Sequence, residues 1–236
     1  MQLIPALDLL GHDAVRLQQG DYDRVLFREN IDTFLGHVLT TNPPLVHVVD
    51  LEAARSGAVR PAMAERVVAL AGTTPIQFSG GIRSLDDAHT ILASGVARII
   101  MGTAVWEAEE GLTTFNDALG ERLVVALDIR GGTVAVRGWR QDSALTLDAA
   151  LERCVAAGVH RLHVTAIARD GMMKGPDLDL YRTVCASGIP VVAAGGVRDE
   201  DDLAALESLG CEGAVMGMGL LARLGITVEL QIPTTD

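Results

Sequence analysis

The chain has 236 residues, of which 49% are hydrophobic, 21% are charged and only 3% are aromatic. This length and apolar content suffice for one large core of aliphatic side chains, and the formal net charge of −12 excludes nucleic acid and anionic membranes as expected partners, because like charges repel. A small phosphorylated ligand is still allowed, since backbone amides bind phosphate locally.

Short apolar runs typical of buried strands alternate along the chain with segments of helical spacing. The predicted strands are 2–8, 45–50, 75–79, 97–101, 122–128, 160–165, 189–194 and 213–216. The predicted helices are 31–40, 61–71, 85–94, 109–119, 146–157, 178–187 and 200–209. Eight strands alternating with helices predict an α/β fold, a (β/α)8 TIM barrel. Because no linker divides the chain, we expect a single domain over residues 1–236.

Cysteine and histidine usage predict neither a disulfide nor a metal centre. Cys154, Cys185 and Cys211 are odd in number and lack C-x-x-C spacing, so we interpret them as small apolar residues in a reducing cytoplasm. The histidines show no ligand spacing, and His47 and His163 fall inside predicted strands, where hydrogen-bonded structural histidines are expected. The apolar runs are too short for a membrane span and the N-terminus lacks a secretory pattern. We expect a cytoplasmic monomer without metal or cofactor.

The second half of the chain repeats the first. The segment SGGIRSLDDAHTILASGVARIIMGTA (79–104) aligns with AGGVRDEDDLAALESLGCEGAVMGMG (194–219) at an offset of 115. Matched pairs include Arg83 with Arg198 and Asp87 with Asp202. This self-similarity predicts two half-barrels, about 1–120 and 121–236.

The repeat places one carboxylate at equivalent ends of the first and fifth strands. Asp8 and Asp128 each follow an Ala-Leu pair, and the C-terminal ends of the strands form the active face of such a barrel. Taken singly, either acid is equally well explained as the cap of a following turn. Its repetition favours catalysis, because a general acid and a general base facing one cavity act on two sides of one substrate.

Glycines follow four of the predicted strands. A glycine pair alone more often marks a tight turn, but the loops after the seventh and eighth strands are the usual phosphate site of these barrels. Two sets related by half a barrel predict two phosphate cradles and an elongated ligand with a phosphate at each end. The predicted phosphate-binding residues are Gly80, Gly81, Gly102, Thr103, Gly195, Gly196, Gly217 and Gly219.

Several motifs together resemble a known family. They are LIPALDLLGHDAVRLQQGDYD, VHVVDLEAA, SGGIRSLDDA, VVALDIRG, RGW, ARDGMMKGPDLDLY and AGGVRDEDDL. They are similar to the phosphoribosyl isomerases of histidine biosynthesis, which convert the precursor ProFAR to PRFAR by an Amadori rearrangement without metal or cofactor. The resemblance implies that Asp8 is the general base and Asp128 the general acid. It also implies that Thr165 is a catalytic residue that positions the substrate and assists acid catalysis. It also implies substrate contacts for Arg16 and Asp170.

Ser79, Arg137 and Trp139 resemble a subfamily, the bifunctional isomerases of actinobacteria. These also convert phosphoribosylanthranilate (PRA) in tryptophan biosynthesis, so the resemblance implies substrate contacts for all three residues. Arginine can pair with the anthranilate carboxylate and tryptophan can stack on its ring. The alternatives without a functional role are a solvated surface charge for Arg137 and ordinary loop packing for Trp139.

The sequence departs from the family pattern at three places, of which the first two leave the balance between the two substrates open and the third concerns stability. The loop after GDYD reads RVLFREN (24–30), Ala166 follows Thr165 where an acid is usual, and the C-terminus lacks the usual closing helix. Besides the isomerase with both activities, we retain an isomerase specialised for PRA. The related cyclase is disfavoured by Ala6 and Arg16, and a non-catalytic phosphate-binding barrel is the alternative from another functional class.

Overall fold

A computed structural model describes residues 1–18, 20–108 and 111–227. Eight parallel strands close into a barrel, because each pairs with a neighbour on both sides. In order around the barrel they are β1 (Gln2–Leu10), β4 (Val46–Asp50), β5 (Ile76–Ser79), β6 (Arg98–Met101), β7 (Leu123–Arg130), β10 (Leu162–Ala166), β11 (Val191–Ala194) and β12 (Gly213–Met216). All eight predicted strands and the predicted TIM barrel are confirmed.

The described helices surround this barrel. They are α1 (Ile31–Leu39), α2 (Leu51–Ser56), α3 (Pro61–Ala71), α4 (Leu85–Ala93), α5 (Thr103–Glu107), α6 (Gly111–Leu119), α7 (Leu147–Ala156), α8 (Leu178–Cys185), α9 (Glu200–Ser208) and α10 (Met218–Arg223). The seven predicted helices are confirmed, although 109 and 110 of the predicted 109–119 helix lie outside the described residues. The short helices α2, α5 and α10 were not predicted, because five or six residues carry too little periodicity.

Four further strands form hairpins at the C-terminal face of the barrel. β2 (Asp13–Gln18) pairs antiparallel with β1 and with β3 (Asp21–Asn30), while β8 (Thr133–Val136) pairs with β7 and with β9 (Gln141–Thr146). The interpretation of 24–30 as a loop is therefore wrong. The segment belongs to β3, because the edge of β2 supplies partners for its backbone hydrogen bonds. Both hairpins extend a strand that carries a predicted catalytic aspartate.

The two-fold repeat is visible in the contacts of the glycine pairs. Gly80 and Gly195 have φ angles of +112° and +95°, and a Cβ on either would collide with a carbonyl oxygen of the neighbouring strand. The carbonyl is that of Asp50 in the first half, at 2.3 Å, and that of Ala166 in the second, at 2.7 Å. Backbone packing alone thus requires glycine here in both halves.

The core lies inside the barrel and between the barrel and the helices. Strands such as β11 and β12 are buried along their whole length, as expected for parallel strands covered on both faces. None of the described helices is long and apolar enough to cross a bilayer. The atypical C-terminus falls largely on 228–236, outside the described residues.

Candidate active site

The C-terminal ends of the barrel strands surround a cavity of about 850 Å³. All but one of the residues that the sequence predicts for the site line it. These are Asp8, Arg16, Ser79, Gly80, Gly81, Gly102, Thr103, Asp128, Arg137, Trp139, Thr165, Asp170, Gly195, Gly196 and Gly217. The exception, Gly219, is buried behind the lining, where a Cβ would lie 2.7 Å from the carbonyl oxygen of Arg198.

Asp8 enters the cavity from β1 as half of an ion pair. Arg16 on β2 places Nη1 2.8 Å from Oδ2 of Asp8, a contact set by the antiparallel pairing of Asp8 with Val15. The Arg16 side chain is only 4% exposed. Its Nε is buried without a hydrogen-bond partner among the described residues and lies close to Gly217. A buried guanidinium N–H without an acceptor is a donor available to an anion.

Asp128 faces the same cavity from the opposite wall. Three strands separate β7 from β1 in either direction around the barrel. Burial raises the pKa of Asp128, and hydrogen bonds from the side chains of Thr165 and Trp139 offset part of this rise. Thr165 is in register beside Asp128, on β10. The two aspartates therefore meet different partners, a cation for Asp8 and neutral donors for Asp128.

A third carboxyl group, that of Asp170, lies in the same cavity. It directly follows the 3₁₀ turn Ile167–Arg169, which comes after β10. The pKa of Asp170 is raised to about 7, chiefly by burial and in part by the charges of Asp8 and Asp128, whereas Arg16 and a backbone hydrogen bond from Gly171 oppose the rise. A carboxyl group with this pKa is present in both protonation states at neutral pH.

The turn between β8 and β9 crosses the mouth of the cavity in a strained conformation. Arg137, Gly138 and Trp139 all have positive φ angles, of 56°, 65° and 66°, which are uncommon for residues with a Cβ. The backbone N–H of Arg137 donates to Oγ1 of Thr103 at 2.7 Å.

Two side chains of this turn contact different residues of the cavity lining. Arg137 extends toward α5, where its Nε lies 3.2 Å from a carboxylate oxygen of Glu107. Trp139 instead hydrogen-bonds to Asp128. Trp139 therefore lies inside the cavity, between Asp128 and the loop that contains Gly20.

The two glycine loops carry different arginines. Arg198 is held by Asp202 through two hydrogen bonds of 2.8 and 2.7 Å. The equivalent Asp87 instead accepts the backbone N–H groups of Arg83 and Ser84. Arg83 lines the cavity, so the first loop presents a guanidinium to a ligand whereas Arg198 is committed to a carboxylate.

Two histidines form part of the cavity floor. The rings of His47 and His163 stack with centroids 4.9 Å apart, and burial lowers the pKa of both, that of His163 to about 4. His47 contacts Gln77 at 3.1 Å. Nδ1 of His163 is buried without a hydrogen-bond partner in the described ranges, so the expectation of a hydrogen-bonded structural histidine is wrong for this nitrogen. Across those ranges, no group of three or more His, Cys, Asp or Glu residues is placed to hold a metal ion.

Arginines concentrate in the cavity of an otherwise acidic protein. The lining contains Arg16, Arg55, Arg83, Arg137 and Arg140 against the acids Asp8, Glu107, Asp128 and Asp170. Sequence reasoning missed Arg55, Arg83, Arg140 and Glu107. Arg83 could have been found, because it stands in the repeated motif two residues after a glycine pair. The other three have no such signal in the sequence. The arrangement can bind an anionic ligand between an ion-paired carboxylate and a carboxyl group of raised pKa.

Comparisons with known proteins agree with this arrangement. The family described as "Histidine biosynthesis protein" matches residues 2–224. The chain belongs to this family. It is 41% identical over 225 residues to a relative from Sorangium cellulosum, covering 93% of each chain. It is 39% identical over 225 residues to one from Synechococcus sp. CC9311, covering 93% of this chain and 88% of the relative. Over 222 residues it is 34% identical to a relative from Roseiflexus sp. RS-1, covering 93% and 94%.

These members of the histidine biosynthesis family carry one name. Each is a 1-(5-phosphoribosyl)-5-((5-phosphoribosylamino)methylideneamino) imidazole-4-carboxamide isomerase. The substrate in that name has two phosphoribosyl groups.

Proposed function

We propose that the protein is an aldose–ketose isomerase that converts ProFAR, the substrate named for its relatives, to PRFAR in histidine biosynthesis. The observation that carries this proposal is the pair of carboxyl groups, Asp8 and Asp128, on opposite walls of one cavity in different electrostatic surroundings. Environments that differ in this way are how an enzyme assigns base and acid roles to two carboxyl groups. The arginine-rich lining and the two-fold glycine loops support a ligand with a phosphate at each end.

The proposed reaction begins with opening of the ribose ring. Asp128, whose pKa is raised by burial, donates a proton to the ring oxygen as the C1–O bond breaks and an imine forms at C1. Thr165 and Trp139 hold the Asp128 carboxyl group in place during this transfer. Each positioned acid or base contributes on the order of 10²–10⁴-fold to the rate.

The second step transfers a proton from carbon to the enzyme. Asp8, held by Arg16, removes the proton from C2 of the open chain, and the electron pair moves to form an enolamine. In the ketonisation that gives the aminoketose, C1 gains the proton held by Asp8 and the C2 hydroxyl proton returns to Asp128. The conversion is an isomerisation, so no electron or proton is gained or lost overall.

The spare N–H of Arg16 near Gly217 and the guanidinium of Arg83 near the other glycine loop support two anion sites. We assign one substrate phosphate to Gly80, Gly81, Gly102 and Thr103 and the other to Gly195, Gly196 and Gly217. Gly219 supports the second loop from behind, because it is buried against the backbone of Arg198. Ser79 and Asp170 are assigned to substrate contact within the cavity.

Turnover of ProFAR by the purified protein tests this proposal. Asp8→Asn is expected to lower kcat by at least ~10³-fold, because the variant keeps the shape of the side chain but not the base. Loss of the ion pair with the buried Arg16 is expected to lower the unfolding free energy as well, so circular dichroism checks that the variant is folded at the assay temperature. Asp13→Asn is the matched control, since Asp13 lies on β2 in an exposed ion pair with Arg28 and does not line the cavity. A protein without any turnover, or one whose Asp8→Asn variant retains the wild-type rate, contradicts the assignment.

A second activity, isomerisation of PRA, is proposed because of Arg137 and Trp139 at the cavity mouth. PRA has one phosphate and an anthranilate carboxylate that Arg137 can pair with. Arg137→Ala is expected to lower kcat/KM for PRA at least tenfold more than for ProFAR. Equal losses contradict this role of Arg137. Turnover of PRA without ProFAR would instead identify an isomerase specialised for PRA, and turnover of neither would favour a non-catalytic phosphate-binding barrel.

A further inference from the structure

Two thiols face each other at the outer wall of the second half-barrel. Sγ of Cys185, the last residue of α8, lies 3.6 Å from Sγ of Cys211, which precedes β12. Both cysteines are free, and neither lines the cavity. Cys211 is buried, whereas Cys185 is partly exposed to solvent. A disulfide requires an S–S distance of about 2.05 Å, so the sulfurs must approach by only about 1.6 Å.

The equivalent joint in the first half-barrel shows that packing does not require thiols here. Gly95 and Gly210 are matched positions of the repeat, each with a positive φ of 92–95°. The residue after Gly95 is Val96, whereas the residue after Gly210 is Cys211. A Cβ on Gly95 would contact Val68 of α3 at 3.3 Å, and one on Gly210 would contact Cys185 of α8 at 4.0 Å. In the first half-barrel, the aliphatic side chains of Val68 and Val96 therefore occupy the place that Cys185 and Cys211 occupy in the second.

We propose that Cys185 and Cys211 are an oxidation site that forms a reversible disulfide with a peroxide as the oxidant. The partly exposed Cys185 thiolate attacks one peroxide oxygen, the O–O bond breaks, and the leaving hydroxide takes up a proton to become water. Cys211 sulfur then attacks the resulting sulfenic acid, the S–O bond breaks and the Cys211 proton leaves with the hydroxide as a second water. Two thiols and one hydrogen peroxide thus give one disulfide and two waters, and the sulfurs lose two electrons.

The bond would fasten the end of α8 to the start of β12. At its middle, α8 is already tied to the barrel, because the Tyr181 hydroxyl accepts from the N–H of Ala194 at 3.1 Å and donates to backbone carbonyls of β10 and β11. The cross-link closes a loop that contains β11 and α9. Restriction of that loop in the unfolded chain is expected to raise the apparent Tm by roughly 5–15 °C.

The test uses the full chain, reduced and then exposed to hydrogen peroxide, denatured and alkylated. We expect loss of two of the three thiols, a mass lower by two hydrogen atoms, and complete reversal by a dithiol. Tryptic cleavage at Arg198 should leave the peptides 183–198 and 199–223 joined. Cys154 stays alkylatable, because it is fully buried and does not belong to the Cys185–Cys211 pair. Because burial raises the pKa of both thiols, the reaction should be faster at pH 9 than at pH 7.

Two variants serve as controls. Cys185→Ser should keep two free thiols under the same treatment, and Cys211→Val, which copies the first half-barrel, should give a sulfenic or sulfinic acid at Cys185 instead of a cross-link. The proposal is overturned if wild type and Cys185→Ser lose equal numbers of thiols, if the wild-type cross-link joins two chains, or if oxidation leaves the wild-type thiol count unchanged.

Discussion

Asp8 and Asp128 occupy matching positions of a repeat, yet their neighbours differ. In the row of residues at the strand ends, Asp8 and Val49 of the first half correspond to Asp128 and Thr165 of the second. Arg16, on the β2–β3 hairpin, pairs with Asp8, and Trp139, on the β8–β9 hairpin, hydrogen-bonds to Asp128. The repeat accounts for the equivalent positions of the two acids, and the hairpins account for their different proposed roles.

Asp170 is expected to lower the stability of the folded protein when its carboxyl group is ionised. Because its pKa is raised from 3.8 to about 7 in the folded state, the folded state binds more protons than the unfolded state between these pH values. Stability contributed by the neutral carboxyl group is therefore present below pH 3.8 and is lost as pH rises to about 7.

Asp170→Asn should remove this loss, because the amide cannot ionise. We expect the variant to be more stable than wild type at pH 8 by about 2–4 kcal/mol, with little difference at pH 4. Urea unfolding at both pH values measures the effect. ProFAR turnover by the same variant should fall at least tenfold, as expected where function and stability oppose each other. Equal stabilities at pH 8 would contradict the raised pKa.

Among the elements, the strands and long helices could be predicted and the hairpins could not. A continuous apolar run predicts a buried strand such as β7. The capping box of Ser84 and Asp87 indicates the start of α4. In contrast, β3 is polar and mostly exposed, so its extended conformation depends on β2 rather than on its own pattern. The contacts of Arg16 with Asp8 and of Glu107 with Arg137 arise from these hairpins. The aspartates were therefore predictable from the repeat, whereas their contacts with Arg16 and Trp139 were not.

The β8–β9 turn should set the relative use of the two proposed substrates through Glu107. Its carboxylate pairs with Arg137, so an anthranilate carboxylate must compete with it. Glu107→Gln is expected to lower KM for PRA two- to fivefold, because a partly exposed ion pair contributes about 0.2–1 kcal/mol, with a smaller effect on ProFAR. Steady-state kinetics with both substrates measure this. Glu152→Gln, on the exposed face of α7, is the control, and an unchanged KM for PRA would contradict the competition.

At the scale of the whole molecule, two half-barrels share one cavity floor, and His47 and His163 contribute one ring from each half. The residues are separated by 116 positions and their rings stack inside the barrel. Burial lowers the pKa of both, and the positive charge of Arg98 lowers each further. The junction of the halves is therefore built around two neutral imidazoles.

This junction should make the barrel sensitive to mild acid. Between pH 6.5 and about 4 the unfolded chain protonates His163 while the folded protein does not, so stability falls as pH decreases through this window. His163→Gln should remove that dependence. From pH 6.5 to pH 5, wild type should therefore lose about 2 kcal/mol more unfolding free energy than the variant. Urea unfolding across this pH range measures the effect. His160→Gln, at an exposed position, is the control. Parallel curves of unfolding free energy against pH for wild type and His163→Gln would contradict the lowered pKa.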